Sequence, residues 1–196
     1  QALKPDVIIL GTEVNNLLFH ENESVYNEFK AFAPRLYQAV KEAHPDITLA
    51  VSFQWDLMRL AENASELADF AGALDVYAFS TYPTIIGIGH VDGIPDGPGY
   101  YQLLKNALPT DARVIITETG WSSRGNSDET QQQQFYEAMP TLFGPLQPEL
   151  VISTYLYDFD VPFYADSNTK KFSSMGLIEN DGTPKPAWEA AKALAQ

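Results

Sequence analysis

Glu13 follows Val7-Ile8-Ile9-Leu10-Gly11-Thr12, and Glu118 follows Val114-Ile115-Ile116-Thr117. Short apolar runs of this kind read as strands covered on both faces, so each glutamate stands at a strand's carboxyl end. Two carboxyl groups flanking one glycosidic bond can divide its cleavage. One protonates the leaving oxygen, and the other attacks the anomeric carbon or activates water. Trp121, three residues beyond Glu118, would offer a pyranose a flat face, although an indole under a loop is also ordinary core. An acid at a strand end also serves as a helix N-cap or a loop residue. Taken singly, neither glutamate decides between these roles.

The elements that must position these residues alternate from end to end. Strands are expected at residues 7–12, 47–53, 76–80, 114–117 and 151–157. Helices are expected at 24–43, 57–70, 101–106, 129–143 with a break near Pro140, and 186–194. A long loop rich in glycine and proline runs from Tyr82 to Gly99. Strands that each precede a helix indicate a parallel α/β sheet. A doubly wound nucleotide fold would show a glycine-rich first turn; here the strand ends carry carboxylates and aromatics, the pattern of a (β/α) barrel enzyme.

Composition narrows the classes. The 196 residues carry 26 acidic and 12 basic side chains, a net charge of −14 that repels phosphate backbones. Nucleic acid is therefore not an expected partner. The apolar runs are too short to span a bilayer, so no membrane is expected either. With no cysteine, disulfides, thiol nucleophiles and thiolate metal sites are absent. The three histidines show no metal-ligand spacing, so neither a metal nor a cofactor is expected. No leader with a basic start and a small-residue cleavage site opens the chain; a secreted or periplasmic location is nonetheless favoured. Two acceptor sequons, at Asn22 and Asn63, are of a kind that arises often by chance.

Together the two glutamate segments resemble clan A glycoside hydrolases, retaining β-glycosidases built on an eight-stranded (β/α)8 TIM barrel. In that clan the acid/base ends strand four and the nucleophile ends strand seven. Two further strands lie between Glu13 and Glu118, as this order requires. Thr117-Glu118-Thr119-Gly120-Trp121-Ser122 resembles the nucleophile segment of family 17 β-glucanases. Ser80-Thr81-Tyr82-Pro83 is similar to the strand-six segment of family 53 galactanases, where a tyrosine approaches the nucleophile. Gly11-Thr12-Glu13 is similar to family 113 mannanases, and the tail from Met175 to Trp188 resembles one seen widely in the clan. Most clan members place Asn before the acid/base; here that residue is Thr12, which is shorter and has no amide donor.

The resemblance implies Glu13 as acid/base and Glu118 as nucleophile. Thr12, Gln54, Trp55, Tyr82, Trp121, Tyr157 and Phe159 are the implied substrate contacts. It implies one partial barrel domain over residues 1–196, holding about five βα units, strands four to eight. Strands one to three would come from the rest of a longer polypeptide or from another chain. The expected function is retaining hydrolysis of β-linked oligo- or polysaccharides. The alternative is a carbohydrate-binding protein on the same scaffold without turnover.

Overall fold

A computed structural model describes residues 4–62, 64–94 and 97–194. Asn63 of the second sequon, the opening Gln1, and Pro95 and Asp96 of the long loop lie outside the described residues. Five strands, β1 (Val7–Gly11), β2 (Thr48–Gln54), β3 (Val76–Thr81), β4 (Val114–Thr119) and β5 (Val151–Ser153), form one sheet in chain order. β1 pairs parallel with β2, and β2 with β3. Helices follow the strands: α1 (Asn16–Phe19) and α2 (Glu23–Ala43) after β1, α3 (Trp55–Leu60) and α4 (Glu66–Asp69) after β2, α5 (Gly99–Ala107) after β3, α6 (Glu129–Leu142) after β4, and α7 (Ser167–Phe172) and α8 (Pro186–Leu194) after β5. Sequential order with no reversal point is the winding of a barrel rather than of a doubly wound sheet.

Contacts divide the chain into two compact units. The first comprises Gln1–Ser80, Leu104–Thr117 and Pro148–Val151; the second comprises Thr81–Leu103, Glu118–Gln147 and Ile152–Gln196. In the first, Ala50, Val76, Ala78 and Ile115 form a buried cluster against which Val7 packs. The ring of Phe70 meets Phe29 of α2 at 5.7 Å and Phe53 of β2 at 5.8 Å. In the second, α6 lies along α8, and Gln132 ties the layers together by donating to the carbonyls of Trp121 at 2.9 Å and Gly176 at 3.0 Å.

Several boundaries differ from expectation for identifiable reasons. The helix expected at 57–70 is two short helices, because Glu62 turns into the left-handed region at φ 50°. The break expected near Pro140 does not occur. Pro140 lies in the last turn of α6, which ends two residues later, so its missing N–H costs one bond at the very end of the helix and does not interrupt it. The strand expected at 151–157 stops at Ser153. After Thr154, whose N–H still reaches Thr119, the chain leaves β4. Tyr157 instead bridges Ile178, and the Asp158 N–H donates to the Ile178 carbonyl at 2.8 Å. The short helix α7 was not anticipated. The Asp166 carboxylate caps it by accepting from the N–H groups of Asn168 and Thr169, both at 2.9 Å. No described helix is long and apolar enough to cross a membrane.

Candidate active site

β1 ends irregularly. Its register against β2 shifts between Ile9 and Gly11, a bulge of the kind that re-aims the residues beyond it. Gly11 packs closely: a Cβ there would lie 2.6 Å from the Phe29 ring and 2.8 Å from Val14 Cγ1, so those side chains would have to shift. Glu13 then adopts φ 48°, a left-handed conformation that costs a non-glycine residue ~1–3 kcal/mol and persists only where its surroundings enforce it. They do so on both sides. The Val14 N–H donates to the Ser52 carbonyl at 3.0 Å. The Asn15 side chain clasps the Gln54 backbone, donating to its carbonyl at 3.0 Å and accepting from its N–H at 2.8 Å. The Glu13 carboxylate accepts from Asn16 Nδ2 at 2.8 Å and, through its other oxygen, from the Ser80 hydroxyl. Exposed Thr12, with Glu13, Asn16, His20 and Phe29, lines a cavity within the first unit.

Glu118 is the penultimate residue of β4. Threonine hydroxyls beside it strap the strand to β3: Thr117 donates to the Phe79 carbonyl at 3.2 Å, and Thr119 to the Thr81 carbonyl at 2.9 Å. Buried Tyr82 donates from its hydroxyl to Glu118 Oε2 at 2.7 Å. The same hydroxyl lies 2.6 Å from Thr154 Oγ1. Thr154 Oγ1 also reaches the Thr119 carbonyl at 3.2 Å, so Tyr82 is held between the Glu118 carboxylate and a hydroxyl fixed to the end of β4. Tyr155 belongs here as well: burial pushes its phenol up, and the charge of Glu118 adds to the rise. Replacing Tyr82 with Phe should leave the melting temperature within a few degrees and lower kcat/KM about tenfold to a hundredfold, the ~1.5–3 kcal/mol of a hydrogen bond to a charged group. Steady-state kinetics and a thermal melt measure both; an unchanged rate rejects the contact's role.

Other expected contacts fall elsewhere. Gln54 is buried with both ends of its amide committed, Oε1 accepting from the Leu57 N–H at 2.7 Å and Nε2 donating to Asp56 at 3.0 Å. It is the N-cap of α3, and burial keeps its amide away from a sugar hydroxyl. Trp55, the first residue of that helix, is buried and presents no face to a ligand. Trp121 is 0 % exposed, packs its ring 5.0 Å from Phe135 and donates Nε1–H to Ser127 at 2.7 Å. It is core and does not serve as a stacking platform. Tyr157 and Phe159 keep 53 % and 38 % of their surface exposed, and Phe159 meets Tyr155 ring to ring at 5.1 Å.

Asp158 is an anchor. Its carboxylate accepts from Lys185 Nζ at 2.7 Å with both side chains almost fully buried. Lys185 also donates to Ser123 Oγ at 2.9 Å, tying the segment after Glu118 to the closing tail. Gly176 is required beside this pair, because a Cβ there would lie 2.2 Å from the Asp158 nitrogen. Asn16, Ser80, Thr154 and Tyr155 were not singled out in the sequence. Ser80 stands at the end of β3, which is the one signal that pointed to it. Among the described residues, no cluster of His, Cys, Asp and Glu is placed to hold a metal.

Five strands in sequential order, with helices between them, make up about five βα units of a (β/α) barrel, a fold the chain shares with solved glycosidase structures. Among curated proteins the chain is similar to glucan endo-1,3-beta-glucosidase 1 of Arabidopsis thaliana, at 31 % identity over 96 residues, 43 % of this chain and 18 % of that protein. It thus spans less than a fifth of that relative's length. Among solved structures it superimposes on a GH5_18 protein of Bifidobacterium longum, determined with Manb1-4GlcNAc, with TM-score 0.68, 15 % identity, and coverage of 97 % of this chain and 46 % of that one. A beta-glucuronidase of Bacteroides uniformis gives TM-score 0.65 at 16 % identity, covering 95 % of this chain and 23 % of that one. The exo-beta-1,4-mannosidase Op5Man5 from Opitutaceae bacterium strain TAV5 gives 0.61 at 16 % identity, covering 85 % and 32 %. No protein-family model matches the chain.

Proposed function

We propose that the chain is the catalytic part of a retaining glycoside hydrolase acting on β-linked oligo- or polysaccharides. The observation that carries this reading is the Tyr82–Glu118 hydrogen bond. It holds a carboxylate at the end of a barrel strand, where such enzymes carry their chemistry. Glu118 attacks the anomeric carbon, and the carbon–oxygen bond to the leaving group breaks. Glu13 gives that oxygen its proton. Glu13, now ionised, takes a proton from water, whose oxygen displaces Glu118 and releases the sugar with retained configuration. The strained backbone of Glu13 and the two hydrogen bonds on its carboxylate support its role, since strain of this kind collects at functional sites. Tyr157 and Phe159 are the aromatic contacts in this reading, and Thr12 meets the sugar where most of the clan has Asn.

The names of the similar proteins, a glucosidase, a glucuronidase and a mannosidase, support a carbohydrate substrate. Residues 1–196 form one partial barrel domain in this reading. An eight-stranded barrel needs three strands beyond these five, supplied by the rest of a longer polypeptide or by another chain. A secreted or periplasmic location follows from the polymeric substrate, and activity confined to a cytosolic fraction would reject it. Thr12 favours a second reading, carbohydrate binding without turnover.

Incubating the intact protein with β-glucans, mannans, galactans and xylans separates the two. Reducing sugar released from one of them is the expected result. Binding to a polymer without product supports the second reading, and neither binding nor product defeats both. Full turnover by the 196-residue chain alone, as a monomer, would refute the need for further strands.

A further inference from the structure

We propose that a cationic pocket in the second unit binds the anionic group of an acidic saccharide, a carboxylate- or sulfate-bearing sugar. The saccharide part of this inference rests on the proposed hydrolase reading. The pocket, about 630 Å³, lies between the segment after β4 and the segment from Val161 to Ser173. Its volume falls within the ~300–1,000 Å³ usual for small-ligand sites. Arg124, Lys170 and Lys171 line it with Asn126, Ser167 and Ser173, and no acidic side chain does. The chain has 12 basic residues against 26 acidic ones, so a quarter of its cations meet in this one place. The other cavities described are lined by at least one carboxylate each: Glu66, Asp92 with Glu137, or Glu13.

The two lysines are held in position without being neutralised. Lys171 Nζ donates to the Thr84 carbonyl at 2.7 Å, and Lys170 Nζ to the Phe163 carbonyl at 2.8 Å. Both acceptors are neutral. Among the described residues neither lysine forms a salt bridge, whereas Arg124 pairs with Glu179 at 2.7 Å. Each ammonium has three N–H donors, so donors remain for an incoming anion. Pairing like charges in one pocket is unfavourable until such an anion arrives.

The pocket adjoins the Glu118 site through shared structure. Phe172, between Lys171 and Ser173 of the wall, packs edge-on against Tyr82 at 5.0 Å. Tyr82 is the residue that holds Glu118, and Thr84, which holds Lys171, lies two residues further along. The segment before α7 exposes Phe163 at 89 % and Tyr164 at 78 %, with their rings 5.4 Å apart. Aromatic faces left this open mark contact surfaces, and a pyranose presents C–H groups that suit them. One segment therefore supplies both a stacking surface and the charges for an acidic substituent.

The test is calorimetric or NMR titration of the intact protein, at fixed ionic strength, with glucuronate, glucose 6-sulfate, glucose and inorganic sulfate. The variants Lys170→Met and Lys171→Met are titrated alongside, and hydrolysis of a neutral oligosaccharide is measured on each. Glucuronate or glucose 6-sulfate should bind at least about tenfold more tightly than glucose. Whichever binds more tightly identifies the substituent. Each variant should lose most of that preference, with neutral hydrolysis within about twofold of wild type. A tenfold rise in NaCl should weaken acidic-sugar binding to wild type, a readout that needs no substitution. Equal binding of glucose and both acidic sugars, or variants that bind them as wild type does, would overturn the proposal. Inorganic sulfate binding as tightly as the acidic sugars would overturn its saccharide part. Acidic-sugar binding that depends on the lysines in a protein that hydrolyses nothing would leave the pocket standing and the hydrolase reading refuted.

Discussion

Glu118→Ala should remove nearly all turnover, a loss on the order of 10⁴-fold or more, because no second nucleophile stands ready at the end of β4. Its neighbours Thr117 and Thr119 spend their hydroxyls on β3 carbonyls. The substitution deletes the acceptor of the Tyr82 proton and leaves that phenol beside Thr154, so the fold should survive. With an activated aryl β-glycoside, azide entering the space left by the carboxylate should restore part of the rate. It would displace the aryl group from the α face and give an α-glycosyl azide. Mass spectrometry of the wild type stopped during turnover should show a sugar ester on Glu118, absent from the variant. Wild-type rates from the variant, without azide, would remove Glu118 from the mechanism.

Glu13→Ala should fail differently. With natural leaving groups, kcat should fall by roughly 10²–10⁴-fold, the worth of a positioned general acid. An aryl leaving group needs no proton, so its departure should remain fast. The glycosyl-enzyme should then accumulate as a burst, since water has lost its base. Azide needs no base either; attacking the glycosyl-enzyme, it should speed the second step and give a β-glycosyl azide. The anomer distinguishes the two glutamates. If Glu13→Ala gave the α-azide and Glu118→Ala the β-azide, the roles would be exchanged. The loss of Glu13 also relieves little strain, because alanine at φ 48° is as disfavoured as glutamate. Glu13→Gly, free of that strain, should therefore show the same kinetics with equal or higher stability.

Much of the fold was legible because the signals for it are local. Short apolar runs gave the five strands, and 3.6-residue spacing gave α2. The proline pair before Ala187 gave the start of α8. The strand-five misreading shows the limit. Leu156 and Tyr157 look like strand residues, yet they pair with the tail at Leu177 and Ile178, more than 20 residues on. A residue's partner at that range does not show in its neighbours.

The site divides in the same way. The sequence by itself placed Glu13 and Glu118 at the ends of two strands, because each follows a short apolar run; β4 is buried up to Glu118, whereas β1 stays partly exposed. It also brought Tyr82 forward as a partner for Glu118. Side-chain direction was decided only by the tertiary structure. Gln54, Trp55 and Trp121 stand at or just past strand ends and Tyr157 lies beyond one, but a helix cap and the Phe135 ring turn the first three inward while the last stays open. The cationic pocket was likewise beyond the sequence, since Lys171 takes its place from a carbonyl 87 residues away at Thr84. Strand periodicity is written in adjacent residues; the orientation of a side chain at a strand end is set by backbone turns and by contacts distant along the chain.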